Sequence, residues 1–286
     1  RSVPKTGIIE SKLIAEKLTE LSNKLNNDDI LTKKFNQLSE YLNKALEYLR
    51  DKNISKYLVC GDFLTDGPDD NKIIDILKTL PTEIIIGNRE ESILNINAKN
   101  ELDEKMRPLY YTYKNLTKEN IEFLKSLKST KIINIGSKKI CMSHGSPYQI
   151  RDFITKDSTS VFDNLIKDHQ ADIYLFAHTH ECFNSIYRKK FFINSGAVNC
   201  TIGKKEVSTF GILTINDDLI IYDQIILPYD FEEVKNYYIK SKYYEEFPEW
   251  VNIILYMLKY GINYNVKFSR TYDYSKSMKN NFYKFT

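Results

Sequence analysis

Four short apolar runs in this chain are each followed closely by residues of the kinds that bind metal ions. The runs are residues 57–60, 83–86, 139–142 and 172–176, and the residues that follow them are Asp62, Asn88, His144, His178 and His180. Parallel strands place their carboxyl ends at one edge of a sheet, so these carboxylate, amide and imidazole groups are expected to meet. The sequence therefore predicts one polar site at the edge of a parallel sheet.

Helical patterns alternate with these runs, at residues 71–80, 119–127 and 162–169. Alternation of strands and helices predicts an α/β core built in layers. We divide the chain into an N-terminal helical segment (1–53), a core (54–228) and a C-terminal helical appendage (229–286). Apolar residues at helical spacing cover residues 8–25 and 38–49 of the first part. In the appendage, helices are expected over 231–242 and 248–260, the latter with the single tryptophan, Trp250.

The composition narrows the class of partner and the compartment. The 286 residues carry a formal net charge of +3, which does not indicate nucleic acid. We expect no membrane segment, and four cysteines without paired C-x-x-C spacing are typical of a reduced, cytoplasmic protein. A small phosphorylated ligand is compatible with this charge, and so is a homo-oligomer.

His178 and His180 are separated by one residue. In extended backbone, residues two apart point to the same side, so both imidazoles are expected to face one cation. A structural zinc cluster needs ligands at short spacing, whereas these ligands spread from Asp62 to His180, which disfavours that alternative.

The ordered motifs resemble those of the calcineurin-like metallophosphoesterases. The matching segments are Gly61-Asp62, Gly87-Asn88-Arg89-Glu90, His144-Gly145-Ser146-Pro147, Ala177-His178-Thr179-His180 and Asn194-Ser195-Gly196-Ala197. The second segment is similar to that of a bacterial branch with G-N-R-E in place of G-N-H-E. From about Ile54 onward, the resemblance implies two sheets packed face to face, flanked by helices, with metals at one edge and a C-terminal helical appendage.

The resemblance also implies a site and an activity. Asp62 would bridge two ions, with Asn88, His144 and His178 on one ion and His180 on the other. Asp62, Asn88, Arg89 and His144 are the implied catalytic residues, and the mixed ligands suit Mn²⁺, Fe or Zn²⁺. The implied reaction is hydrolysis of a phosphomonoester or phosphodiester, with nucleotides included, by a metal-activated water. The alternative is a weak or inactive relative that binds a nucleotide or a protein.

The family's D-x-H motif is missing from its expected place. It should precede the helix that leads to Asp62, near residues 34–36, which read Lys-Phe-Asn. Three explanations remain open. The strand lies upstream of Arg1, which we favour because its loss would damage the sheet. Otherwise the site holds one ion, or Asp28 or Asp29 replaces the missing ligands, although their run is typical of a solvated turn.

Arg89 replaces the histidine that is usual in the family. An arginine stays protonated, so it is a poor general acid but binds phosphate oxygens with two parallel hydrogen bonds. We therefore assign Arg89 to substrate binding, and expect substrates with good leaving groups such as nucleotide or aryl phosphates. Other polar residues have simpler interpretations: Asp66 as a turn residue, Arg151 in a salt bridge, His169 as structural and Cys182 as a strand cysteine.

Overall fold

Helices and strands alternate along the core, and only helices follow it in the described residues. A computed structural model describes residues 40–50, 52–97, 106–216 and 219–263. The helices are α1 (Glu40–Arg50), α2 (Asp70–Thr79), α3 (Asn88–Leu94), α4 (Arg107–Asn115), α5 (Lys118–Ser126), α6 (Thr159–His169), α7 (Phe231–Ile239), α8 (Lys242–Glu246) and α9 (Pro248–Tyr260). The strands are β1 (Tyr57–Val59), β2 (Thr82–Ile84), β3 (Thr130–Ile135), β4 (Lys138–Ser143), β5 (Ile173–Phe176), β6 (Cys182–Tyr187), β7 (Lys190–Ser195), β8 (Val207–Asn216) and β9 (Leu219–Pro228).

The strands of the described residues form three sheets. The largest has the order β3-β4-β5-β7-β6, in which β4, β5 and β7 are parallel and the two edge strands are antiparallel to their neighbours. The parallel pair β1-β2 and the antiparallel hairpin β8-β9 are separate sheets. The α/β class predicted from the alternating pattern is confirmed.

The four strands that carry the polar motifs do not share one sheet, so that expectation is wrong. β1 and β2 lie in one sheet and β4 and β5 in another. One hydrophobic cluster nevertheless joins them. It contains Leu58 of β1, Ile140 of β4 and Ile173 of β5, together with Leu213 of β8 and Tyr222 of β9. Because the apolar faces of these sheets pack together, the carboxyl ends of their strands still meet at one edge.

The helices predicted before and after the core are confirmed only in part. The helix predicted over 38–49 is present as α1, whereas residues 8–25 and 34–36, Asp28 and Asp29 lie outside the described residues. The helix predicted over 248–260 is α9. The helix predicted over 231–242 is broken after Ile239, because the Ser241 hydroxyl accepts a hydrogen bond from Tyr244 N (3.1 Å) and begins α8.

The C-terminal helices have a hydrophobic cluster of their own. Its buried members include Tyr238 of α7 and Val251 and Leu258 of α9, and Tyr41 of α1 packs against them.

The four cysteines are free. Across the described residues, no helix has the length and apolar character needed to cross a membrane.

Phe192 lies at the centre of an aromatic stack behind the large sheet. Its ring centroid is 3.9 Å from that of Phe162 on α6 and 4.7 Å from that of Tyr174 on β5, and all three side chains are fully buried. The stack therefore fixes α6 against β7 and against β5, the strand that His178 follows.

We predict that Phe192→Ala lowers the free energy of unfolding by about 3–5 kcal/mol, because it removes a buried ring and leaves a cavity. Urea denaturation measures this change. The control is Ile186→Ala on neighbouring β6, where a 68% exposed side chain is shortened and a change within about 0.5 kcal/mol is expected. Equal losses in the two variants would show that the stack does not carry the core.

Candidate metal centre

The loops after β1 and β2 touch each other through two glycines. Gly61 has a φ of +85°, and a Cβ there would lie 2.3 Å from Gly87 N. A Cβ on Gly87 would lie 2.2 Å from Asp62 Oδ1. Side chains at either position would separate the loops, so the glycines of the G-D and G-N motifs are required by the close approach of two backbones.

Glu90 holds these two loops together from beneath. Its buried carboxylate accepts hydrogen bonds from the backbone N–H groups of Asp62 (2.8 Å), Gly87 (2.8 Å), Phe63 (3.0 Å) and Leu64 (3.0 Å). Burial, followed by the charge of Asp62, raises the pKa of Glu90 to about 7. Sequence reasoning gave Glu90 no role, although its place in the G-N-R-E motif was a usable signal.

His144 follows β4 and points its Nε2 at two oxygens. Its Nδ1 lies 2.7 Å from the Cys60 carbonyl oxygen, which can only accept a hydrogen bond, so Nδ1 carries the proton. Its Nε2 lies 3.0 Å from Asn88 Oδ1 and 3.3 Å from Asp62 Oδ2. A neutral His144 would therefore direct three lone pairs toward one another, an arrangement that a cation between them relieves.

His178 and His180 lie in the turn after β5 rather than on extended backbone, which corrects the basis of that prediction. Their φ angles are +59° and +57°, in the left-handed region that such residues rarely adopt. Asn194 holds the turn, because its Nδ2 donates to Ala177 O (2.7 Å) and Thr179 Oγ1 (3.0 Å). His180 Nδ1 donates to Cys200 O (2.9 Å), which leaves Nε2 of His180 as the nitrogen with a lone pair.

The electrostatics favour deprotonated ligands at three of these positions. Burial and the neighbouring His144 lower the pKa of His178 to about 4, and burial lowers the pKa of His180. Burial alone would raise the pKa of Asp62, but hydrogen bonding to His144 and the backbone N–H of Arg89 lower it. Burial opposes the charged form of His144, yet Asp62 leaves the pKa of His144 above its usual value.

These residues fit a divalent cation. Ligand atoms of Asp62, His144 and His178 all lie within 4.8 Å of one another. Zinc ligands stand about 2.0–2.2 Å from the ion, and hence up to about 4.4 Å apart, so small side-chain movements suffice. Asn88 Oδ1 adds an oxygen through its contact with His144. His180 lies outside this tight group, although its charge interacts with Asp62, His144 and Arg89.

Arg89 lies beside the candidate metal ligands with its side chain 23% exposed. Its Nη2 donates to Asp66 Oδ2 (2.8 Å), and its backbone N–H donates to Asp62 Oδ1 (2.9 Å). Asp66 is in a turn, as expected, with a φ of +58°, but it also pairs with Arg89, which the sequence did not reveal. The arginine is therefore a partly buried member of the site and not a solvated surface residue.

Of the other residues singled out by sequence, Arg151 borders the ligand cluster, with its Nη2 3.4 Å from Asn88 O, whereas His169 and Cys182 make their contacts elsewhere. Arg151 pairs with Glu91, which confirms the predicted salt bridge. His169 ends α6, and its ring is tilted against that of Tyr148, with the centroids 6.0 Å apart. Cys182 begins β6, half-buried, with its Sγ 3.4 Å from Ser195 O.

An exposed aromatic ring, missed by sequence reasoning, adjoins the cluster. Phe153 is 67% exposed, and its ring centroid lies 4.8 Å from that of His178. It belongs to the loop after β4, which is held by hydrogen bonds from Ser146 N and Asp152 N to Gln149 O (2.9 and 3.2 Å). Nothing in the periodicity of this loop marks one aromatic residue as adjacent to a histidine ligand.

Comparison with known proteins agrees with this geometry. The sequence-family model of the calcineurin-like phosphoesterase superfamily domain matches residues 38–218. The chain belongs to this family. Membership confirms the predicted fold class and makes metal binding and phosphoester hydrolysis the family-level expectation.

Similar proteins cover between 38% and 79% of the chain. An uncharacterized protein of Methanocaldococcus jannaschii, MJ0912, is 24% identical over 76% of this chain and 93% of its own length. A probable metallophosphoesterase of Bacillus subtilis, YsnB, is 27% identical over 38% of this chain and 63% of its own length. The hypothetical protein PH1004 of Pyrococcus horikoshii has a similar structure, with a TM-score of 0.65 at 20% identity over 79% of this chain and 94% of that chain. A metallophosphoesterase from Sphaerobacter thermophilus gives a TM-score of 0.56 at 18% identity, over 76% of this chain and 94% of that chain.

We predict that Glu90→Gln weakens metal binding about 10–100-fold, because a glutamine offers one acceptor oxygen and an NH₂ group to four backbone donors. Calorimetric titration with Mn²⁺ measures the affinity. The control is Glu91→Gln, which changes the next residue of α3 and affects a solvent-exposed pair with Arg151. Similar affinities for Glu90→Gln and the unaltered protein would contradict the anchoring role of Glu90.

Proposed function

We propose that this protein is a metal-dependent hydrolase of small phosphate esters. The observation that carries the proposal is the convergence of His144 Nε2, Asn88 Oδ1 and Asp62 Oδ2 within 3.0–3.3 Å contacts. When His144 is neutral these atoms repel one another, and a cation between them would relieve that repulsion. The bonds from His144 Nδ1 to the Cys60 carbonyl and from Asp62 N to Glu90 hold them in place.

The residues divide into two groups around the site. Asp62, Asn88, His144 and His178 would hold one ion, and Asp62 and His180 would contact a second. A divalent ion held by these residues would supply an activated water molecule and offset negative charge on the phosphoryl oxygens. The mixture of oxygen and imidazole ligands supports Mn²⁺, Fe or Zn²⁺ as the metal. The Gly87–Glu90 motif supports assignment to the bacterial branch.

Arg89 is proposed to bind the phosphate group of the substrate. Its planar guanidinium carries five N–H donors, and a bond to Asp66 leaves donors for phosphate oxygens. Because the guanidinium does not release a proton near neutral pH, Arg89 does not protonate the leaving group. This favours esters whose leaving groups depart without a proton from the protein, such as aryl or nucleotide phosphates.

Phe153 supports an aromatic group on the substrate. The Phe153 ring centroid lies 4.8 Å from that of His178, and an ion bound to this imidazole would lie about 2.0–2.1 Å from its nitrogen. A small substrate could therefore contact both the ion and the Phe153 ring. The Phe153 and His178 rings meet edge to face, while 67% of Phe153 is exposed to solvent. An aryl or nucleobase ring could stack there while its phosphate contacts Arg89.

A second function is favoured by one observation. Among the described residues, Asp62 and His180 are the ligands assigned to the second ion, and metal sites of this kind draw three or more ligands from protein. A chain with one tightly held ion would be a slow enzyme, or a binding module that uses the same cleft for a nucleotide or a protein.

We predict that His144→Ala removes the tightly bound ion and reduces hydrolysis of p-nitrophenyl phosphate or its diester to background. The substitution deletes the imidazole nitrogen on which the oxygens of Asp62 and Asn88 converge. Mass spectrometry of the metal content and a colorimetric assay measure both effects. The unaltered protein should retain about one tight ion per chain. His169→Ala, a histidine outside the cluster, should keep metal and activity. Undiminished metal in a folded His144→Ala protein refutes the assignment.

We predict that Phe153→Ala raises KM for an aryl phosphate several-fold and leaves KM for an alkyl phosphate within about twofold, because stacking is lost only with the aryl substrate. Phe153→Tyr preserves the ring and should preserve the preference. An equal effect on both substrates would show that Phe153 supports His178 rather than the substrate.

A further inference from the structure

Asp66 connects Arg89 to the C-terminal helices. One carboxylate oxygen, Oδ2, accepts the bond from Arg89 Nη2 (2.8 Å), and the other, Oδ1, accepts a bond from Trp250 Nε1 of α9 (3.0 Å). The side chains of Arg89 and Asp66 are 23% and 21% exposed. A charge-assisted bond that is partly shielded from water holds its geometry better than an exposed ion pair.

The backbone of Asp66 is held by the same helices. Tyr238 OH on α7 donates to Asp66 O (2.8 Å), and Tyr238 OH in turn lies 3.2 Å from Tyr41 OH on α1. Thr65 and Asp66 have φ angles of +66° and +58°, which cost free energy unless surrounding contacts maintain them. The turn that presents the carboxylate to Arg89 is thus maintained by contacts from the C-terminal helices.

We propose that Trp250, Asp66 and Arg89 form a positioning unit through which the C-terminal helices orient the phosphate-binding arginine. The proposal rests on the proposed function, because it takes Arg89 as the phosphate ligand. Asp66 fixes one side of the guanidinium plane, Trp250 prevents rotation of the Asp66 carboxylate, and the remaining N–H donors face the phosphate. Asp66 and Trp250 are positioning residues and do not themselves touch the substrate.

The helices offer a matched control. Tyr237 on α7 donates a hydrogen bond to Asp69, in the same loop as Asp66. This contact also joins the C-terminal helices to the loop, but it does not reach Arg89. A purely structural role of the appendage would make the Tyr237 and Trp250 contacts equivalent.

The kinetic test compares three variants of the full chain loaded with Mn²⁺. Trp250→Phe, which keeps a ring but loses the N–H, should raise KM for p-nitrophenyl phosphate about tenfold with unchanged metal content. Asp66→Asn, which removes the charge, should raise KM at least as much. Tyr237→Phe should leave KM within about twofold. Equal effects of Trp250→Phe and Tyr237→Phe, or an unchanged KM in Asp66→Asn, overturn the proposal.

A second test does not need turnover. Trp250 is the single tryptophan of the chain, so its fluorescence reports on this unit alone. Inorganic phosphate added to the Mn²⁺-loaded protein should change the Trp250 emission. The change should disappear in Asp66→Asn, which keeps Trp250, and persist in Tyr237→Phe.

Calorimetry of phosphate binding separates the two ways to fail. If the unaltered protein binds phosphate without any change in Trp250 emission, or if Asp66→Asn retains the change, the positioning unit is refuted while the proposed function stands. If the unaltered protein binds no phosphate and hydrolyses no ester, the proposed function fails and this proposal fails with it. Should Trp250→Phe not fold, Asp66→Asn still decides both tests.

Discussion

The contact between the loops after β1 and β2 is the constraint on which the candidate site depends. Gly61 and Gly87 approach so closely that no side chain fits between them, and the buried carboxylate of Glu90 accepts four backbone N–H groups from both loops. Asp62 and Asn88 are carried by these loops, and the Cys60 carbonyl next to them orients His144. Three strands in two sheets are thereby brought to one point by hydrogen bonds from side chains to the backbone, in addition to the packing of their apolar faces.

The backbone at the ligands is held in uncommon conformations. Asp62, His178 and His180 all have φ angles between +54° and +59°. Such conformations cost free energy, and they persist where neighbouring contacts determine them. Here Glu90 fixes the first, and Asn194 together with the Cys200 carbonyl fixes the other two. The free energy of folding thus arranges the candidate ligands in advance of any ion.

The sequence predicted the kinds of element better than their arrangement. Apolar runs located the strands because burial selects Ile, Leu and Val there. The helix expected over 248–260 is confirmed, and the structure shows that Pro248 begins it and Gly261 ends it. The division of four strands between two sheets was missed, because a fully apolar run does not state which neighbour it pairs with. The turn at His178 was missed because Asn194, which holds it, lies far away in sequence. The Trp250–Asp66–Arg89 contacts were missed for the same reason, since local sequence patterns do not report contacts between distant residues.

The position of the cluster between sheets gives a bound ion a mechanical role. Asp62 and Asn88 follow strands of the small parallel sheet, whereas His144 and His178 follow strands of the large one. An ion shared by these four side chains would cross-link the two layers at their open edge, much as a disulfide closes a loop. Since a ligand that binds only the folded state stabilises it by RT ln(1 + [L]/Kd), occupancy would be coupled to the cohesion of the whole sandwich. Metal supply in the cell would then regulate the lifetime of the folded protein as well as its chemistry.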